Sequence, residues 1–117
     1  DSMMKVAQEV GFENIVFGAD VVTNLDALAR IGEELTLRTR WFKPVEILRQ
    51  ATSKAGELLA LSGPRNPYGT LGVIRNGAVA DVLVVDGDPL EDISVLAKPS
   101  QNLRLIMKGG EVYKNTL

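Results

Sequence analysis

Two residue types are missing from this sequence altogether, because it contains no cysteine and no histidine. Without cysteine the chain has no disulfide framework, and its redox compartment cannot be inferred from thiols. Without histidine it lacks the commonest general base near neutral pH and the commonest protein ligand of metals. Any catalytic mechanism confined to this chain must do without both groups.

The sequence also lacks a strong charge of either sign and a long apolar run. The formal net charge is −2 and the isoelectric point is about 5.1, and no segment carries the Lys/Arg stripe that phosphate binding requires, so we expect no nucleic-acid partner. No apolar run approaches the roughly 20 residues of a bilayer-spanning helix, and the first residues lack the features of a secretory signal. We therefore expect a soluble chain with no membrane partner, cytoplasmic or periplasmic, whose compartment the sequence leaves open.

The residues that are present are those of an ordinary globular protein. The chain has 117 residues, of which 45% are hydrophobic and 24% charged, which fits one small domain or part of a larger fold. Its opening stretch, DSMMKVAQEV, reads as the interior of a protein, with a helix beginning almost at once. We therefore expect a fragment.

Helical spacing dominates the first half of the chain. Apolar residues recur at helical intervals over 3–10, and Thr23 or Asn24 is placed to cap a second helix. Pro44 begins a third helical pattern, with an expected break near 52–53. Between the first two helices, the apolar run 15–17 is short and rich in β-branched residues, which predicts a strand buried in a parallel sheet.

The second half of the chain predicts sheet. The Asn76-Gly77 pair is a strong hairpin signal and precedes a valine-rich strand, which ends in a turn over 86–89. Two further alternating strands are joined by Gly109-Gly110, a hairpin connection of favoured length.

Asp20 is the candidate functional residue, because it lies just beyond the predicted buried strand and before a helix. In parallel α/β sheets and barrels, active sites lie at the carboxyl ends of strands. The carboxylate of Asp20 is therefore a candidate metal ligand or general base. Spacing alone favours a turn or capping acid, since aspartate is common in both roles.

Several other polar residues have structural interpretations. Asp81 beside the valine-rich strand is predicted to be a structural hydrogen-bond acceptor, and Asp86 and Asp88 are predicted to serve a turn. The sequence does not decide whether three side chains in the loop after the last predicted barrel strand face a substrate or pack against the fold. These side chains are those of Arg38, Arg40 and Trp41.

Four segments, taken in order, resemble the C-terminal end of metal-dependent amidohydrolases, in the branch that includes imidazolonepropionase-like and prolidase-like enzymes. They are NIVFGAD, KPVEILRQATSKAGELLAL, LGVIRNGAVADVLVVDGDPLEDISVL and LRLIMKGGEVYKN. The most specific piece is GAVADVLVVDGDPLEDI, which is similar to the family's Ala-Asp, apolar strand and Asp-Pro-Leu turn. The segments are spread over residues 14–115, so the resemblance extends over nearly the whole chain.

The resemblance implies an α/β fold. Residues 1–65 would be the last βα unit of a TIM-type (β/α)8 barrel, and residues 66–117 the C-terminal strands of a small β-sandwich domain built from both chain termini. The first seven barrel strands and the N-terminal sandwich strands would then be missing. The chain would be a fragment of a larger fold.

The resemblance also implies a function for the complete protein, which is hydrolysis of a C–N bond in a small amide or peptide by water activated on divalent metal, usually zinc. Asp20 corresponds to the family's aspartate that binds the metal and takes a proton from the attacking water. Ala19 departs from the threonine or serine of many relatives, so this chain lacks the local hydrogen bond that such a hydroxyl would make. A zinc site needs about four ligands, mostly nitrogen or sulfur. We therefore expect this chain alone to bind no metal and to be inactive.

Two alternatives to a truncated hydrolase remain open. The first alternative is a non-catalytic structural or interaction module. The second is a subunit that complements a separate chain carrying the rest of the barrel. Its partner would be the missing N-terminal barrel portion in the second case, or further copies of itself in a homo-oligomer. We expect self-association because unpaired strands and exposed apolar surface favour it.

Overall fold

The computed structural model describes residues 2–11, 14–20 and 24–117. They form six α-helices, three strands and three short 3₁₀ turns. The α-helices are α1 (Ser2–Val10), α2 (Leu25–Ala29), α3 (Ile31–Leu37), α4 (Pro44–Ala51), α5 (Ser53–Ala60) and α6 (Pro99–Asn102). The strands are β1 (Val82–Val85), β2 (Leu103–Lys108) and β3 (Glu111–Asn115), and the 3₁₀ turns are Arg38–Arg40, Gly63–Arg65 and Ile93–Ala97. Among these helices none is long and apolar enough to cross a membrane.

The helical first half matches the sequence pattern closely. The side chain of Asn24 caps α2 by accepting a hydrogen bond of 3.1 Å from the N–H of Ala27, so Asn24 takes the capping role, whereas Thr23 lies outside the described residues. Pro44 begins α4, where its fixed φ suits the first helical turn. The expected helix break falls at Thr52, whose φ and ψ are −125° and −95°.

The three strands form one antiparallel sheet in the order β1-β2-β3. Val82 lies opposite Met107 in the first pair, and Met107 lies opposite Val112 in the second. Gly109 and Gly110 connect β2 to β3 with positive φ values of 59° and 85°, a conformation that glycine adopts without steric cost. The valine-rich strand and the final hairpin are therefore confirmed.

Two predicted elements do not form. The Asn76-Gly77 pair lies in a turn without a hairpin, because Thr70 and Ala78 make an isolated parallel bridge instead. The backbone before this turn packs closely against the junction of α4 and α5, because a Cβ added at Gly72 would collide with the carbonyl of Thr52. The predicted strand at 15–17 is also absent, because the strands of the described chain pair only with one another and leave this run without a neighbour.

The core lies where the helices meet the 3₁₀ turn at Ile93–Ala97. Its buried members are Leu35, Phe42, Ile47 and Ile93. Half-buried apolar residues packed against them include Ile15, Phe17, Trp41 and Leu96. The core thus joins the segment that carries Asp20 to the helices, and the division of the chain at residue 65 stays a prediction.

Candidate functional site

Asp20 has an unusual backbone conformation. Its φ is +49°, and it is the one non-glycine residue with positive φ among residues 2–11, 14–20 and 24–117. Aspartate tolerates this left-handed region better than most residues, and such conformations concentrate at functional sites and turns. The residue is exposed, so its carboxylate faces solvent at the end of the described segment 14–20.

The segment before Asp20 is fastened to α4 by one backbone hydrogen bond. The N–H of Phe17 donates to the carbonyl of Gln50 over 3.0 Å. Gln50 lies in the last turn of α4, where carbonyls have no partner within the helix. Because α4 ends at Thr52, the carbonyl of Gln50 accepts a hydrogen bond from the segment that carries Asp20.

Arg38 contacts both partners of this hydrogen bond. Its Nη1 donates to Oε1 of Gln50 over 2.8 Å, and its guanidinium carbon lies 4.9 Å from the centre of the Phe17 ring. Gln50 is only 5% exposed, so its amide would be costly to leave unpaired. Arg38 thus packs within the fold rather than standing free to face a substrate.

The remaining residues from the sequence prediction are also placed. Trp41 packs against the core, while Arg40 is exposed. Asp81 accepts a hydrogen bond of 2.7 Å from the N–H of Gly109, and Asp88 accepts one of 2.8 Å from the N–H of Leu90 in its turn. The structural interpretations of Asp81 and Asp88 are confirmed.

The acids that follow Asp20 in the sequence, Asp26 and Glu33, lie on exposed helix surfaces. Glu33 pairs with Arg30 at 2.7 Å, and the side-chain hydrogen bond from Arg30 lowers the pKa of Glu33. Asp26 is exposed on α2. In the part of the chain that the structure describes, no group of three or more acids could hold a metal ion. The donors that the described residues offer do not fit a zinc ion by themselves, and the role of Asp20 as a metal ligand or general base stays a prediction.

Sequence reasoning missed the cluster formed by Arg38, Gln50 and Phe17. The available signal was Gln50 itself, a polar residue three positions after Ile47 on the apolar face of α4. A buried amide requires hydrogen-bond partners. The identity of those partners depends on the tertiary fold and could not be read from spacing.

An apolar groove of about 710 Å³ lies on another part of the molecule. Helices α4 and α5, the segment 71–74 and strand β1 all contribute to its wall. Its lining residues include Leu48, Leu59, Leu71, Leu83 and Met107. Some of its lining side chains, Ile74 among them, are exposed apolar groups that a partner could cover.

The chain is similar to several known proteins, although no family model matches it. A crystal structure of an amidohydrolase superposes with a TM-score of 0.80 and 29% identity over 99% of this chain and 26% of its own. A prolidase crystallised with N-methylphosphonate-L-proline gives a TM-score of 0.77 and 30% identity over 97% of this chain and 26% of its own. Ochratoxinase from Aspergillus niger is 35% identical over 71 residues, which are 61% of this chain and 14% of its own length.

These similarities confirm the resemblance carried by the four sequence segments. The fold is that of the C-terminal portion of an amidohydrolase, in the group with prolidase-like members. The chain spans about 26% of the length of the two amidohydrolase-type structures. The activity of a whole enzyme, its substrate and its partners are therefore matters for proposal.

Proposed function

We propose that this chain supplies the last acidic residue of a hydrolase active site, in a complete protein that cleaves amide or peptide C–N bonds. The observation that carries the proposal is Asp20, an exposed carboxylate held at φ +49° directly after the segment fastened to α4. The similarity to amidohydrolases over nearly the whole chain supports it.

In this proposal the complete enzyme uses a divalent metal, with zinc as the expected ion. Such an ion would polarise the substrate and lower the pKa of bound water. This chain would provide Asp20 as one metal ligand and as a proton acceptor, and the nitrogen donors would come from outside it. The isolated chain is then inactive, because it has no histidine or cysteine to complete the ligand set.

The test joins the chain to the part that it lacks. The 117-residue chain is purified alone and also co-expressed with the portion of the prolidase relative that it does not match. Metal content and hydrolysis of a dipeptide panel, including dipeptides that end in proline, are measured for both samples. Asp20→Ala is compared with Asp26→Ala, which removes another exposed carboxylate, from α2.

We expect no turnover from the chain alone. We expect turnover from the complex, lowered about a hundredfold or more by Asp20→Ala, since even residues that only support metal ligands cost 10–100-fold when removed. Asp26→Ala should be unaffected. Stoichiometric metal and activity in the chain alone, abolished by Asp20→Ala, would show that the inference from the missing histidines is wrong.

The second candidate function is that of a non-catalytic interaction module or complementing subunit, and the apolar groove favours it. Leu59, Ile74 and Leu83, which line the groove, are 48%, 90% and 55% exposed, and a binding partner would cover these apolar side chains. Tight complex formation without turnover in the experiment above would favour the module. Turnover only in the complex is expected both of a truncated hydrolase and of a complementing subunit, so it would contradict the non-catalytic module.

A further inference from the structure

The segment that carries Asp20 has few attachments to the rest of the fold. Residues 15–20 belong to no helix or strand. Within the described chain, the Phe17–Gln50 bond of 3.0 Å is the one backbone hydrogen bond that joins this segment to another element. The apolar side chains of Ile15 and Phe17 add packing against the core. Apolar packing is not directional, so the position of the segment along α4 depends mainly on that bond.

The guanidinium of Arg38 reinforces this bond from the side. By donating to the side chain of Gln50 it fixes the residue whose carbonyl receives the Phe17 N–H. By lying 4.9 Å from the centre of the Phe17 ring it also gains a cation–π attraction to the donor residue. The planar guanidinium can serve both contacts at once, which the compact ammonium of lysine does less well.

We propose that Arg38 is a positioning residue for the carboxylate of Asp20, acting through Gln50 and Phe17. This inference rests on the proposed function of Asp20. Asp20 follows Phe17 by three residues, so a shift of Phe17 along α4 is passed to the carboxylate through a short stretch of backbone. Active-site groups must be held to within about 0.5 Å, so a small shift is enough to matter.

The test uses the 117-residue chain labelled for nuclear magnetic resonance, with no metal or substrate present. Arg38→Met removes the guanidinium and keeps an apolar stem, whereas Arg38→Lys keeps a charge and a donor. Arg40→Met is the matched control, because Arg40 lies in the same 3₁₀ turn and is exposed. Amide hydrogen exchange is followed at Phe17 and at Ile106, a residue of the central strand β2 that reports on opening of the sheet.

In Arg38→Met we expect exchange at Phe17 to become about tenfold faster, a size typical for the loss of such contacts in a locally opening segment. Exchange at Ile106 should stay the same. The backbone chemical shifts of Asp20, which depend on φ and ψ, should move toward the values of a flexible chain. Arg38→Lys should restore part of both signals, and Arg40→Met should change neither.

Unchanged exchange at Phe17, or unchanged backbone chemical shifts of Asp20, in Arg38→Met would overturn the proposal. Equal acceleration at Phe17 and Ile106 would also overturn it, because Arg38 would then serve only general stability. Since this measurement needs no catalysis, its failure is separate from failure of the proposed function. The proposed function fails when the assembled complex turns over substrate equally well with and without the Asp20 carboxylate.

Discussion

The carboxylate of Asp81 accepts a hydrogen bond of 2.7 Å from the backbone N–H of Gly109, 28 positions later in the chain. Beside it, the N–H of Gly110 donates to the carbonyl of Ala80 over 3.0 Å. These two contacts join the residues that precede β1 to the connection between β2 and β3. They fix the end of the sheet at which the final hairpin turns.

Asp81→Ala should lower the free energy of unfolding by about 1 kcal/mol, because it removes a hydrogen bond and leaves the Gly109 N–H without its acceptor. Asp81→Asn keeps an acceptor oxygen and should cost less. Urea denaturation measures both effects. Asp86→Ala is the control, since its 3.9 Å pair with Arg104 is exposed and should contribute little. An equal loss in the Asp81 and Asp86 variants would contradict this account.

That Asp81 is a structural hydrogen-bond acceptor could be predicted from a local pattern, an acid at the start of an apolar strand, whereas its partner Gly109, 28 positions later, could not. The same holds for the Asn24 cap, for the break at Thr52 and for the final hairpin, each of which depends on neighbouring residues. The position of Asp20 after an apolar run makes it a candidate functional residue, but its proposed role comes from the resemblance to amidohydrolases.

The features that sequence did not predict depend on distant contacts. The Asn76-Gly77 pair has the local sequence of a hairpin turn. However, the backbone before it packs against the helices, with Gly72 in close contact with Thr52. The run at 15–17 has the composition of a buried strand, yet a strand requires a paired neighbour. The contacts of Arg38 likewise join residues far apart in the chain. Local periodicity carries no information about any of these pairings.

Gly32→Ala should destabilise the fold, because a Cβ at this position would collide with the backbone carbonyl of Leu96. The collision is with backbone, so α3 must move away from the 3₁₀ turn at Ile93–Ala97. Overpacking of this kind costs about 1–3 kcal/mol. The measurement is thermal or urea unfolding.

Gly18→Ala is the matched control for Gly32→Ala. A Cβ at Gly18 meets no atom within 4 Å, and its φ is not positive. Its effect should stay within about 0.5 kcal/mol. If both glycine variants unfold alike, the close approach of α3 to Leu96 is not what requires glycine.

Lowering the pH should destabilise the fold, in part because Asp92 becomes protonated. The hydroxyl of Ser94 donates to Oδ2 of Asp92 over 2.8 Å and its N–H donates to Oδ1 over 2.9 Å. The hydroxyl hydrogen bond, followed by the backbone one, lowers the pKa of Asp92. Because the folded pKa lies below the unfolded value of about 3.9, this stabilisation is present above that pH and is lost as pH falls through the folded pKa.

The check on Asp92 is urea unfolding of the native chain and of Ser94→Ala between about pH 5 and pH 2. Ser94→Ala removes the hydroxyl donor, so it should be less stable than the native chain at the upper end. The difference between the two proteins should shrink toward the lower end, where Asp92 is protonated in both. A difference that stays constant across the range would argue against the linkage.

The apolar groove predicts that the isolated chain associates with itself. Ile74 and Leu83, which line the groove, are 90% and 55% exposed, and β1 is an edge strand of the described sheet. Covering such residues removes apolar surface from water, and an edge strand offers unpaired backbone groups to a second copy. Sedimentation at micromolar concentration should therefore show a dimer or a larger oligomer.

Ile74→Lys and Leu83→Lys should each shift the distribution toward the monomer, because a charge is costly to bury at an apolar contact. Leu117→Lys, a change at an exposed residue that does not line the groove, should leave it unchanged. A native chain that remains monomeric at this concentration would mean that its exposed apolar surface needs no second copy to cover it.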